Sequence, residues 1–157
     1  MIKNIQEKNS VFNEGTMFCT LFGCEINVNI EKSVELDYAE RCAADLEALT
    51  DEAKDMICER ISAFHQYMLD EWDDEFVAEI NEKVPCDVSG REILKYIEEP
   101  ALYVMTPQGE GIGYTIEGLC PWEPEHGIDI MILDGEVRYV GTPEGYDPWT
   151  DDYDCDY

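Results

Sequence analysis

The sequence predicts an α+β domain, an antiparallel sheet of hairpins packed against two to three helices. Apolar residues alternate with a period of two at both ends of the chain, and a helical periodicity fills the middle. An Asp-Gly pair joins two alternating runs near the C-terminus, a strong short-range hairpin signal. A chain of 157 residues can bury about 68–70% of its unfolded surface around one core. Residues 1–141 are read as a single α+β domain and residues 142–157 as an acidic C-terminal tail.

Each element follows from its residues. From Thr16 to Ile30 the run TMFCTLFGCEINVNI breaks at Gly23, and Ile26, Val28 and Ile30 alternate with Glu25, Asn27 and Asn29, which predicts an N-terminal hairpin. Tyr38, Cys42, Leu46 and Leu49 then share one helical stripe, a helix over residues 36–49. Thr50 is placed to cap the next helix, with Asp51 and Glu52 near the positive end of its dipole. Ile57, Ile61, Phe64, Met68, Trp72, Phe76 and Ile80 continue one face over residues 51–82. An unbroken helix there would run about 48 Å, long for this domain, so a break is expected near Asp70–Asp73. Val84-Pro85 ends the helical region. Ser89 and Glu92 have the spacing of a capping box before a short helix Ile93–Glu98, which Pro100 stops.

Strands are expected at residues 101–105, 113–119, 128–133 and 136–141, the last two joined at Asp134-Gly135. The tail lacks periodicity, and Tyr146 and Trp149 are its candidate docking residues. Phe18, Val28, Leu46, Ile57, Ile61, Phe64, Tyr103, Ile130 and Ile132 lie on the inward phase of their elements and form the expected core.

Composition narrows the function classes. Asp and Glu total 37 against 10 Lys and Arg, a net charge of −27. Binding to nucleic acid or an anionic membrane depends on Lys and Arg, so both are excluded as direct partners and a basic protein is favoured. Seven cysteines without a C-x-x-C pair cannot all pair within one chain. Reduced, mostly buried thiols and a cytoplasmic location, in a bacterium or the host of a phage, are therefore expected. The first residues have no apolar h-region, and no run approaches the roughly 18 apolar residues of a membrane span.

The segment Cys120-Pro121-Trp122-Glu123-Pro124-Glu125-His126-Gly127 leads into the Ile128–Gly141 hairpin. It resembles a segment of small uncharacterised bacterial domains in which Trp, an acidic residue and Glu-His-Gly precede a strand, Asp-Gly and Val-Gly. Such domains are similar to immunity-type proteins of toxin systems. The resemblance covers residues 120–141 and implies a local fold; it supplies no catalytic residue.

No cofactor is indicated. Glu123, Glu125, His126 and Asp129 have the oxygen and nitrogen donors for a metal, or for a histidine poised as a base by a carboxylate. The structural alternative has Gly127 permitting a turn while His126 hydrogen-bonds locally at the rim. Gly109, Gly111 and Gly113 precede a strand, whereas a phosphate loop leads from a strand into a helix, so GEGIG reads as a plain loop. His65, near Cys42 and Cys58 on the helical stripes, reads as a half-buried, hydrogen-bonded core histidine. Asp152, Asp154 and Asp156 reproduce the first spacings of a calcium loop but lack its glycine and its bidentate glutamate.

The charge falls in two blocks. Residues 96–157 hold 15 acids and one base, Arg138, and residues 70–82 hold seven acids and no base. Asp73, Asp74 and Glu75 beside Trp72 form one partner-binding candidate; Asp147, Trp149, Asp151, Asp152, Tyr153 and Asp154 form the other, which is favoured because Trp72 and Phe76 also fit the core of the helical region. The leading reading is a non-enzymatic inhibitor that occupies the positive surface of a nuclease, toxin or defence protein, of immunity or phage anti-defence type. The alternative is a cytoplasmic small-molecule or metal-binding domain, or a hydrolase, with its site around His126.

Overall fold

Alternation at the N-terminus produces the expected hairpin: β2 (Phe12–Cys19) and β3 (Cys24–Glu31) pair antiparallel from Phe12↔Glu31 to Cys19↔Cys24. In the computed structural model, which describes residues 1–154 and 157, a further strand, β1 (Lys3–Glu7), pairs with β2 along the edge of the sheet. Its only large apolar residue is Ile5, so it has no alternation for the sequence to display.

The helical middle divides as its capping residues dictate. α1 (Leu36–Glu47) is followed by α2 (Asp51–Glu71), where the Thr50 hydroxyl accepts a hydrogen bond from the Ala53 amide at 3.1 Å. The expected break falls at Trp72-Asp73. The Asp73 carboxylate accepts from the Phe76 amide at 2.9 Å and so starts α3 (Asp74–Lys83).

Two local expectations fail here. The Ser89 side chain makes no cap bond, because Gly90 adopts φ +58° and the chain enters a 3-10 helix, Gly90–Tyr96, while Glu92 turns to Lys95. Pro100 does not end a helix. It lies inside β4 (Glu98–Val104), at a register shift between Glu98 and Ala101 where the missing N–H breaks no regular ladder.

β4 joins β3 in parallel, from Asn27↔Ala101 to Ile30↔Val104, so the sheet is mixed at this one joint. The chain leaves β3 and returns beside it only after residues 32–97, and a parallel neighbour requires such a crossover. β5 (Gly113–Cys120), β6 (Glu123–Leu133) and β7 (Glu136–Gly141) continue antiparallel, completing a seven-stranded sheet in sequence order. Asp134 and Gly135, at φ 51° and 74°, form the tight turn between the last two strands.

One phase of the strands, including Met17, Ile26, Val28, Leu102, Ile116, Ile130 and Ile132, shares a hydrophobic cluster with Leu46, Ile57, Ile61 and Phe64. The Tyr38 hydroxyl bridges to β5, donating to the Gly113 carbonyl at 3.1 Å and accepting from the Gly113 amide at 3.0 Å. Seven of the nine expected core residues are buried; Phe18 is 58% exposed and Tyr103 half-buried. Met17 and Cys19 take the inward phase of β2, which puts Phe18 opposite Glu25 on the other face.

That other face is also covered on the β5 to β7 side. Thr115, Asp129, Met131 and Tyr139 are buried there. Tyr146 and Tyr153 lie 5.3 and 5.4 Å from the Tyr139 ring, and Trp149 donates from Nε1 to the Glu110 carbonyl at 2.7 Å. A Cβ on Gly109 or Gly113 would strike the Trp149 ring, so the glycines of the GEGIG loop form the floor on which the indole rests.

Candidate functional site

The second face carries a carboxyl pair. Glu117 on β5 and Asp129 on β6 stand directly opposite each other in the antiparallel register, with Ala101 of β4 on the far side of Glu117. With Tyr103, Leu119 and His126 they line a cavity of about 220 Å³. Asp129 is 7% exposed, and its Oδ1 has no hydrogen-bond partner among the described residues. Burial, followed by the negative charge of Glu117, pushes the Asp129 carboxyl up to about 7. Burial also raises Glu117, although a hydrogen bond from the Tyr103 hydroxyl pulls the other way. The cavity therefore has an acidic base that changes protonation near neutral pH, with the methylated walls of Ala101, Leu119 and Ile128 beside it. Cross-strand adjacency depends on register, so no local motif announced Glu117.

His126 sits at the rim of this cavity and is exposed. Its Nδ1 and its backbone amide both lie 3.2 Å from Glu123 Oε1, a closed local turn like the one that the structural alternative for Glu-His-Gly describes. Gly127 makes the turn possible at φ +75°, and a Cβ there would be driven into the Gly118 carbonyl. Gly127→Ala is accordingly expected to destabilise the fold by about 1–3 kcal/mol, measured as a lower urea midpoint with an unchanged slope. Glu125 is exposed, and Asp129 faces Glu117. Among the described residues no group of three or more His, Cys, Asp or Glu side chains is arranged to hold a metal ion.

The two acidic blocks differ in what they leave free. Trp149 and Tyr153 are occupied within the chain: the indole is seated on the glycine floor, and the Tyr153 hydroxyl donates to the Asp147 carbonyl at 2.8 Å. The Asp147 carboxylate accepts from the Trp149 amide at 2.8 Å. Asp151, Asp152 and Asp154 are exposed, while Asp156 and Cys155 lie outside the described residues. At the α2–α3 corner, by contrast, Trp72 is 40% exposed and packs on Phe76 with ring centroids 4.7 Å apart and 57° between the planes. Asp70, Glu71, Asp74 and Glu75 flank it along the chain, all exposed; Asp73 is exposed too but committed as the cap of α3.

The thiols are poor nucleophile candidates. Cys19, Cys42, Cys58 and Cys120 are free and buried, and burial pushes Cys42 and Cys120 up to about 12 and Cys58 up to about 11. Cys24 and Cys86 are exposed. His65 departs from expectation: it is fully buried, packs at 4.8 Å on Trp122, and neither ring nitrogen has a hydrogen-bond partner among the described residues. Its neighbours on the helical stripes are apolar, so burial lowers its proton affinity. No described helix is long and apolar enough to cross a membrane.

No curated protein and no solved structure matches the chain. The model of a domain of unknown function, DUF6985, matches residues 1–147. That span runs from before β1 through β7 and into the docked C-terminal segment, and the chain belongs to the DUF6985 family.

Proposed function

We propose that the protein is a non-enzymatic binding protein that occupies the basic, nucleic-acid-binding surface of an effector, such as a nuclease, toxin or defence protein, and inhibits it. In this reading α1 and α2 back the sheet, and the α2–α3 corner is presented to the partner. The observation that supports it most is Trp72, an exposed indole flanked along the chain by Asp70, Glu71, Asp74 and Glu75, none with an ion-pair partner among the described residues. Carboxylates steer a basic surface into encounter, and a desolvated aromatic anchor slows its departure. An immunity protein and a phage anti-defence protein both work this way.

The test is capture of the partner from native host cells, followed by binding kinetics with the purified pair. The association rate should fall steeply with ionic strength, since charges are screened over about 8 Å at 0.15 M salt. The double variant Asp74→Asn, Glu75→Gln, which keeps the Asp73 cap, should slow association, and DNA should compete for the partner. Trp72→Ala should speed dissociation by roughly tenfold or more, the expected loss for an aromatic anchor. A partner that binds equally at low and high salt and to both variants would rule the mechanism out.

A further inference from the structure

We infer that the cavity over the Glu117–Asp129 pair binds an aliphatic cation, an ammonium or guanidinium head on a hydrocarbon stem. The inference stands on other residues than the α2–α3 corner and does not depend on the reading above. Asp129 lines the cavity although it is only 7% exposed, and its buried Oδ1 has no hydrogen-bond partner among the described residues. A buried acceptor left in this state loses its hydration and regains nothing in exchange. Glu117 stands directly opposite it in register, and no lysine or arginine is among the residues that line the cavity. Lys8, which acts on Tyr103 at this face of the sheet, is held at 2.7 Å by both Glu14 and Asn29.

A bound cation would offset the repulsion between the carboxylates and donate to the Asp129 carboxylate, which has no protein donor on its Oδ1 among the described residues. Charge-assisted bonds of this kind are about twice as strong as neutral ones. The walls fit the rest of the ligand: Ala101, Leu119 and Ile128 offer apolar surface on which methylene groups can lie while the head reaches the acids. A volume of about 220 Å³ admits a short alkyl cation. The same chemistry has two sources, a free small amine or guanidine and a lysine or arginine side chain of a protein partner.

The experiment titrates the full chain with n-butylguanidinium and n-butylammonium, with n-butanol as the neutral isostere, followed by NMR shifts of backbone amides. Saturable binding of both cations is expected, with shifts centred on Tyr103, Gly118, Leu119 and Asp129 and with butanol at least about tenfold weaker. Asp129→Asn and Glu117→Gln should each weaken the cations by about tenfold or more. Glu79→Gln, an exposed carboxylate of α3 remote from the cavity lining, should leave them unchanged. Thermal unfolding of each variant separates lost binding from lost fold. A blocked arginine amide that binds at least tenfold tighter than butylguanidinium assigns the source as a partner's side chain; any smaller preference assigns a free small molecule. Unsaturable shifts spread over the exposed acids, equal binding of butanol, or an equal loss in Glu79→Gln would overturn the inference.

Discussion

Trp122→Ala should lower the unfolding free energy by about 3–5 kcal/mol, the usual loss when a large aromatic is removed from a core. Trp122 is 0% exposed and is among the largest fully buried side chains, lying against His65 at 4.8 Å with 46° between the rings. Its Nε1 has no hydrogen-bond partner among the described residues, so the substitution removes packing and no hydrogen bond. Trp122→Phe should therefore recover much of the loss. Domains of this kind have only about 5–15 kcal/mol in total, so the alanine variant should shift the urea midpoint far downward with little change in slope. A shift worth less than about 1 kcal/mol would show that the indole does not hold the junction between β5 and β6.

Asp129→Asn should raise stability above neutral pH and have little effect near pH 4. The Asp129 carboxyl is raised from its ordinary 3.8 to about 7 by burial and by Glu117. Between those values the folded state holds a proton that the unfolded state has lost. The stability this provides is fully present below pH 3.8 and is lost as pH rises through about 7. Asparagine keeps the shape without the charge and removes that slope. The difference between variant and wild type should grow between pH 4 and 7 and level off at about 2–4 kcal/mol, taking about 1.4 kcal/mol per pKa unit as the upper bound. His65 acts with the opposite sign: its lowered proton affinity costs stability as pH falls below 6.5. Urea unfolding of both proteins at pH 4.5, 6 and 8 cancels that shared term. Parallel pH curves would show that Asp129 is hydrated in the folded state.

Much of the fold was legible because its signals are local. The Thr50 cap, the interruption of the long helix at Asp73, the alternation in β3 and the Asp134-Gly135 turn each depend on a few consecutive residues and the backbone geometry they favour. β1 was not legible, since an exposed edge strand needs no apolar alternation. The capping box at Ser89 had the right letters, but Gly90 took a positive φ foreign to the first turn of an α-helix.

The candidate sites divide along the same line. The excess of acid, its concentration in two blocks, the lack of a C-x-x-C pair and the succession hairpin, helices, hairpins are readable from the residues alone. Long-range packing sets the parallel return of β4 beside β3, the outward Phe18, and the seating of Trp149 on a glycine floor while Trp72 stays exposed. It also placed Glu117 against Asp129 over a cavity and left His126 at the rim. The physical reason is range. Caps, turns and periodicity arise from neighbours along the chain, whereas a one-residue change of register would turn every side chain of a strand to the other face. Which acids meet, and which aromatics are left for a partner, is set by that register and by the return of the C-terminal segment across the sheet.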